Sequence, residues 1–406
     1  MSFQPTPTQV EFLLSAQGQV WLEQAAQLPL TQQSLLADLQ HLRQHLSPDM
    51  AAAVIEQVSL RRKGTDKFSH AQTMLFIRDG LEQATPSQVA QHRAQRFQGC
   101  EHIADLGCGL GGDTLHLAQV AESVLGVDLN PQRLQFARHN ATVYNLNHKI
   151  TWVQADALQL PLRPKAIFAD PARRTDDGRR TFNPAAYRPP LQVLIAAYKQ
   201  ANLAIKVGPG LDFAAVQATT VQAPEIELVS LAGEVKEATL WFGDLASSGC
   251  TRRATMLPSG DSLTDALPTV EATDAPQIRA GAYIYEPDPA IIRAGLVGQL
   301  AHQQQLHFLD PHIAYLTGEQ QIESPLTKAY QVEAILPLRV KAINRYLKGQ
   351  HISQIDIKQR GTGLQPERIA AQLKPAKDGT ARTLILVRIK DDHFTLICNR
   401  IATCTR

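Results

Sequence analysis

The run Asp105-Leu106-Gly107-Cys108-Gly109-Leu110-Gly111-Gly112-Asp113-Thr114 places four glycines between two carboxylates. Glycine lets a backbone turn tightly and approach a ligand, and a helix that opens after such a run aims free N–H groups at it. Gly107, Gly109 and Gly112 also satisfy the spacing of the dinucleotide fingerprint, which brings nicotinamide and flavin chemistry into consideration. Two further carboxylates end the next two apolar runs: Asp128, 21 residues after Gly107, and Asp156 in Gln154-Ala155-Asp156-Ala157. Asp128 suits ribose hydroxyls in either cofactor class. Asp105, two residues before the first glycine, would repel a pyrophosphate but suits a cationic group. Asp156 can accept the amino hydrogen of an adenine. Carboxylates in this order favour S-adenosylmethionine, whose methionyl end is cationic, over a dinucleotide. Gly111, Thr114, Leu129 and Ala157 complete the expected cofactor set.

A second cluster is Asp170-Pro171-Ala172-Arg173-Arg174, after the apolar run Lys165 to Ala169. In a doubly wound sheet this loop faces the cofactor crevice. Asp170, with the Pro171 carbonyl, could hold an amine or ring nitrogen in line with a methyl group, while Arg173 and Arg174 could bind a phosphate or stack on a base. Methyl transfer asks for orientation and exclusion of water more than for acid/base power.

The elements that must position these residues follow from periodicity. Strands are expected at His102 to Leu106, Ser123 to Val127, Ile150 to Gln154, Lys165 to Ala169 and Leu203 to Val207. Helices are expected at Thr114 to Ala121, Pro131 to Tyr144 and Ala185 to Gln200, and this alternation implies a parallel sheet covered on both faces. Glu225 to Leu231 and Ala238 to Phe242 read as an antiparallel hairpin at its edge. Upstream, Leu35, Leu36, Leu39, Leu42 and Leu46 share a helical face. Ser47-Pro48 and Thr85-Pro86 look like helix starts, Thr85 with Gln88 forming a capping box, and the basic run Arg61-Arg62-Lys63 reads as a loop. Asp113 and His116 read as a cap and a surface residue. Residues 250–280 read as a linker with one short strand. A helix is expected from Pro289 to Gln304. From Val332 onward, strands at Val332 to Ile335, Ile352 to Ile357, Leu384 to Ile389 and Thr395 to Asn399 surround a helix from Val340 to Leu347.

Between Lys67 and Arg174 the chain resembles class I methyltransferases, and within them trimethylguanosine synthase. The similar stretches are Gly111-Gly112-Asp113-Thr114, Ala137-Arg138-His139-Asn140-Ala141, Val143-Tyr144 and Ile150 to Asp156. The resemblance implies a Rossmann-like seven-stranded α/β sheet. It also implies a segment upstream of the sheet that folds over the cofactor, which Lys67, Phe68 and Phe76 match. One departure stands out: that family has Pro-Pro-Trp after its fourth strand, the Trp stacking on the cap guanine, whereas Pro171 is followed here by Ala172 and Arg173. Asp-Pro-Ala-Arg-Arg, Tyr285-Glu286-Pro287 and Lys358-Gln359-Arg360-Gly361 are instead similar to a bacterial group with a small ferredoxin-like insert and a THUMP-like C-terminal domain. That group implies a transfer or ribosomal RNA substrate.

The 406 residues, 44% hydrophobic and 19% charged, suggest about two or three domains and exclude a mainly disordered, collagen-like or coiled-coil chain. The expected division is a helical domain at 1–95, a methyltransferase domain at 96–247, a linker with a small ferredoxin-like segment at 248–330, and an α+β module at 331–406. From Tyr330 onward fourteen Lys/Arg face six Asp/Glu, a net +8 on a body of net −6. A basic end on an acidic body points to an anionic partner, with Arg339, Lys341, Arg345 and Lys348 on or beside one helix. No secretory signal or apolar run near the ~20 residues of a membrane helix is visible, and five scattered cysteines fit a reduced, cytoplasmic protein. His302, His307 and His312 lack metal-ligand spacing. The sequence reading is therefore an RNA nitrogen methyltransferase. A small-molecule methyltransferase and a non-catalytic RNA-binding protein that keeps the cofactor pocket are its rivals.

Overall fold

The computed structural model describes residues 4–160, 164–173, 183–220, 223–272 and 278–401. The expected substrate residue Arg174 lies outside them. The chain divides into two compact units, Met1–Glu225 with Lys236–Ser247, and Ile226–Val235 with Ser248–Arg406.

The first unit opens with helices α1 (Pro7–Leu14), α2 (Ala16–Ala26), α3 (Leu35–Arg43), α4 (Pro48–Gly64), α5 (Arg78–Gln83) and α6 (Ser87–Gln95). Ser47 caps α4 by accepting the Met50 N–H at 3.4 Å, with Pro48 in the first turn. The leucine face of α3 is only partly apolar core. Leu42 is buried, but Leu35 and Leu36 are 43% and 67% exposed, because adjacent positions on a helix cannot both face one neighbour. Arg61-Arg62-Lys63 is not a loop; it forms the last turn of α4. Arg61 is buried and donates to the Met74 carbonyl at 2.8 Å. Arg62 donates to the carbonyls of Ala26, Leu28 and Pro29 that follow from the end of α2. Thr85 and Gln88 form no capping box, since α6 begins at Ser87 without a side-chain cap.

The rest of this unit alternates as expected: β1 (His102–Leu106), α7 (Gly112–Val120), β2 (Ser123–Asp128), α8 (Pro131–Val143), β3 (Ile150–Gln154), β4 (Ala166–Ala169), α9 (Leu191–Ala197), β5 (Asn202–Val207) and α10 (Phe213–Thr219); β6 (Glu225–Leu231) falls in the second unit after Glu225, and β7 (Glu234–Trp241) returns to the first from Lys236. Its own strands run β3-β2-β1-β4-β5-β7, parallel through β5 and antiparallel at β7. Ala232 and Gly233, both at positive φ, make the tight turn from β6 to β7. The helix expected from Ala185 is shortened to α9, because Pro189 and Pro190 supply no N–H to a ladder. Leu106 pairs with both Val127 and Ala169. That register puts Gly107, Asp128 and Asp170 at neighbouring strand ends, beside the point where strand order reverses.

The second unit adds β8 (Arg252–Leu257), β9 (Asp261–Thr264), β10 (Tyr283–Pro287), α11 (Pro289–Ala294), α12 (Val297–Gln304), β11 (His307–Asp310), β12 (Ile313–Gly318), β13 (Thr327–Pro337), α13 (Val340–Gly349), β14 (Ile352–Arg360), α14 (Pro366–Ala370), β15 (Thr380–Ile389) and β16 (Asp392–Arg400). The stretch read as a linker holds two strands, β8 parallel to β6 and β9 antiparallel to β8. The single helix expected from Pro289 breaks at Gly295, which takes a left-handed φ of +69°. A seven-stranded sheet, β11-β12-β10-β13-β16-β15-β14, then runs from residue 283 to 400, and residue 330 lies inside its central strand. One face buries Ile284, Tyr315, Tyr330, Val387 and Leu396. Ile343 and Leu347 of α13 pack with Leu384 and Ile397 in a second cluster.

Asn140 of α8 fastens the upstream segment to the glycine run. It is fully buried, accepts the Leu75 N–H at 2.8 Å, and donates to the carbonyls of Leu75 and Leu110, both at 3.1 Å. Asn140→Ala should lower unfolding free energy by about 2–3 kcal/mol, because buried backbone groups on two segments lose their partner. Urea denaturation checks this, and a loss under about 0.5 kcal/mol, the range of ordinary surface substitutions, would contradict it.

Candidate active site

The glycine run forms a left-handed turn between β1 and α7. Gly107, Gly109 and Gly111 have φ of +84°, +56° and +82°. A Cβ on Gly107 would sit 2.9 Å from the Asp170 carbonyl oxygen, so only glycine lets these two strand ends approach. At Gly109 a Cβ would point into open space, which leaves a cradle free of side chain.

Asp105 and Asp128 sit at this turn and Asp156 follows β3, each already held. Asp105 is fully buried, and its Oδ2 accepts the Thr114 hydroxyl at 2.5 Å, while Oδ1 has no partner among the described residues. Burial, with Asp113 and Asp170 adding to it, pushes the Asp105 carboxyl up to about 8 against the pull of Thr114 and Arg93. Asp128 accepts the Gly109 N–H at 2.9 Å and the Asn130 N–H at 2.8 Å, two backbone donors that fix its plane. Asp156 accepts the Leu158 N–H at 2.9 Å, and the Ala157 carbonyl takes the Tyr198 hydroxyl. Leu129, beside Asp128, is 68% exposed. It borders an open cleft of about 450 Å³ lined also by Pro7, Asn130, Pro131, Gln132 and Gln135.

Three expected cofactor residues serve the structure around the turn. Thr114 is buried behind Asp105. Lys67 donates to the carbonyls of Leu81, Glu82 and Ala84 at 2.8, 3.0 and 2.8 Å, where it caps the end of α5. Phe76 is a core ring, 5.8 Å from Phe68 between centroids. It is Phe68 that lies against the run, 3.3 Å from where a Cβ on Gly112 would be.

The acceptor loop leaves β4 with the Asp170 N–H donating to the Leu106 carbonyl at 3.0 Å. Pro171 is buried, Ala172 exposed and Arg173 half-buried. Ala172 exchanges both backbone hydrogen bonds with Arg188 at 3.0 Å, which lays the neighbouring Tyr187 beneath the loop. Tyr187 is buried and accepts the Gly208 N–H at 3.3 Å, so it does not replace the missing stacking aromatic.

Behind this loop lies a buried charge cluster that the sequence reading missed. Arg93 of α6 pairs with Asp113 of α7 and Glu237 of β7, its guanidinium carbon 4.3 Å from the centre of the Phe168 ring. Lys206 of β5 sits 2.5 Å from Asp170 Oδ2, 3.9 Å from Asp113 Oδ2 and 3.0 Å from the Thr85 hydroxyl. Burial alone would lower both cations, but Asp113 and Glu237 hold Arg93 above its ordinary value, and Asp170, Asp113 and Glu237 do so for Lys206. Burial works the other way on Asp113, which Arg93 and Lys206 keep below the usual carboxylate range. Asp113 is therefore an ion-pair residue, not the expected helix cap. His116 is buried, its imidazole lowered chiefly by that burial. Lys206 carried a legible signal, since it is the one charge in the buried run Asn202 to Val207 of a parallel strand. Glu237 carried none.

This strand order, with a left-handed glycine turn after β1 and carboxylates ending β1 and β2, defines the class I methyltransferase fold. The chain belongs to the S-adenosylmethionine-dependent methyltransferases. It is 33% identical over 332 residues, 80% of this chain and 90% of the other, to an uncharacterized S-adenosylmethionine-dependent methyltransferase of Mycobacterium tuberculosis. Residues 100–207 match the RNA cap guanine-N2 methyltransferase family, 327–400 the THUMP domain-like family and 6–64 a domain of unknown function. A crystal structure of a putative methyltransferase from Porphyromonas gingivalis W83 has the same fold, with a TM-score of 0.77 at 21% identity over 99% of this chain and all of that one. A shorter stretch, 36% identical over 90 residues, 22% of this chain and 20% of the other, is similar to a 23S rRNA (uracil(1939)-C(5))-methyltransferase of Marinomonas posidonica.

The cofactor is thus S-adenosylmethionine, and the residues present fit it: a carboxylate with an unpartnered oxygen, a cradle open at Gly109, and a carboxylate fixed at the second strand end. Two outcomes are expected. Asp128→Ala should weaken S-adenosylhomocysteine by about 1–3 kcal/mol in calorimetry, through lost charge-assisted hydrogen bonds. With the Asp105 carboxyl raised to about 8, the free protein holds its proton at neutral pH, whereas a cationic ligand favours the carboxylate. Binding should therefore release a proton, and affinity should rise from about pH 6 to about pH 7.5. Buffers of different ionisation enthalpy read that proton directly, and an Asp105→Asn variant with the same pH profile would remove the assignment.

Proposed function

We propose that this enzyme methylates a nitrogen of a structured RNA, transfer or ribosomal, in the cytoplasm. The observation that carries the reading is the outer face of α13. Lys341, Arg345 and Lys348 are exposed along it, Arg339 is exposed at its start, and Ile343 and Leu347 turn inward. These cations, which make no ion pair among the described residues, lie on one helical face and suit a phosphate backbone. The match of residues 327–400 to the THUMP domain-like family and the likeness of 90 residues to an rRNA methyltransferase support the same substrate class. A second route to RNA would use Arg61, Arg62, Lys63, Arg173 and Arg174 around the crevice; of these, Arg61 and Arg62 have their guanidiniums engaged by carbonyls.

In this reading the bound cofactor supplies a methyl group carried on a sulfonium. Asp105, Asp128 and Asp156, with the cradle of Gly107, Gly109 and Gly111, would hold it, together with the exposed Leu129. Asp170 and the Pro171 carbonyl orient the acceptor nitrogen through its N–H groups, and Arg173 meets the nearby phosphate or base. The buried Pro171 and Tyr187 wall the site from water. With no aromatic following Pro171, specificity for a cap guanine does not carry over.

Asp170→Ala should keep S-adenosylhomocysteine affinity near wild type while transfer of labelled methyl to total RNA falls by roughly 100-fold. Transfer to small metabolites and none to RNA would favour the small-molecule reading, and RNA binding without any transfer the non-catalytic one. Replacing Lys341, Arg345 and Lys348 together by alanine should weaken RNA binding and make the log–log salt slope shallower by about 2, at about 0.7 per phosphate contact on single strands. An unchanged slope in filter binding would mean that α13 does not meet RNA.

A further inference from the structure

Asp170 leaves the end of β4, and among the described residues its side chain hydrogen-bonds Lys206. The loop backbone is fixed by Leu106 and Arg188, but the carboxylate itself points to Lys206 Nζ at 2.5 Å. Lys206 is 4% exposed and comes from the neighbouring strand, so its ammonium cannot follow Asp170 into solvent. Its second partner, the Thr85 hydroxyl at 3.0 Å, belongs to the segment upstream of the sheet. An ammonium has three donors arranged tetrahedrally and serves two such partners on separate segments; a planar guanidinium would not fit the same space in the same way.

We infer that Lys206, seconded by Thr85, is the positioning residue of the acceptor loop: it engages one oxygen of Asp170 and leaves the other to the acceptor nitrogen. This rests on the reading of Asp170 as the group that orients the acceptor. Thr85 ties that orientation to the upstream segment, which Asn140 in turn fastens to the glycine run. The upstream segment, the glycine run and the acceptor carboxylate are thereby joined by one chain of hydrogen bonds. Without Lys206, Asp170 is free to rotate toward water, and Arg93 faces Asp113 and Glu237 alone.

The test compares Lys206→Met, Lys206→Arg, Thr85→Val, Asp170→Ala and the Asp170→Ala/Lys206→Met double variant. Each is measured by calorimetry with S-adenosylhomocysteine and by single-turnover transfer of labelled methyl to total RNA. Lys206→Met should lose transfer at least about tenfold with cofactor affinity nearly unchanged, and Lys206→Arg should recover part of it. Thr85→Val, which keeps every charge, should lose less, roughly threefold, and covers the case in which Lys206→Met does not fold. Lys206→Met should add nothing to Asp170→Ala, because it acts through Asp170. Wild-type transfer by Lys206→Met or Thr85→Val beside an inactive Asp170→Ala would overturn the inference, and so would full additivity in the double variant. Full transfer by Asp170→Ala would instead overturn the acceptor reading. Crystal structures of Lys206→Met and Thr85→Val then decide the positioning claim without any substrate. A displaced Asp170 side chain supports it, and an unmoved one refutes it.

Discussion

Charges buried together must nearly cancel, and that constraint organises the catalytic unit. Arg93 and Lys206 lie among Asp113, Glu237 and Asp170, with Asp105 close by. Removing an ion from water costs several kcal/mol, which only close partners with good hydrogen bonds offset. The members come from α6, α7, β5, β7 and the loop after β4, so the cluster cannot form until these elements have met. Asp105, the carboxylate least served by the two cations, resolves its burial by keeping a proton. That gives the glycine turn a neutral acid that a cationic ligand can ionise.

Around the cluster, the groups suited to the cofactor are restrained before it arrives. Backbone donors from the glycine turn and from the start of α8 hold Asp128, and Thr114 holds one oxygen of Asp105. Phe68 and Leu110 press the upstream segment against the same turn, with Asn140 as the polar fastener. A site assembled this way spends little binding energy on ordering itself.

Much of this was legible beforehand, for identifiable reasons. The parallel strands are short apolar runs ended by glycine or aspartate, and β1 to β5 fall within a residue or so of their expected places. The glycine turn and the placement of Asp105 and Asp128 beside it were legible because glycine and strand-end aspartate mark backbone geometry directly. What escaped was everything set by tertiary partners. Thr85 has the sequence of a helix cap, yet its hydroxyl is drawn to Lys206. Lys67 fits a cofactor-contact motif, yet three carbonyls at the end of α5 claim it. Arg61 and Arg62 look like part of a basic loop, yet they end a helix and are spent on the carbonyls of Thr73 and Met74 and on those at and just after the end of α2. Proline and glycine also punctuated helices more sharply than periodicity suggested, at Pro189-Pro190 and at Gly295.

The seven-stranded sheet of the second unit has a consequence for how the chain is made. Its middle strand, β13, pairs on one side with β10, already synthesised, and on the other with β16, which comes last. At about 5–20 residues per second, β10, β11 and β12 leave the ribosome several seconds before the strands that complete their sheet. During that interval they form a three-stranded fragment whose β10 edge offers unpaired N–H and C=O groups to any neighbour. A nascent chain of this protein thus carries an open β10 edge, able to pair with another copy, until β13 emerges to cover it.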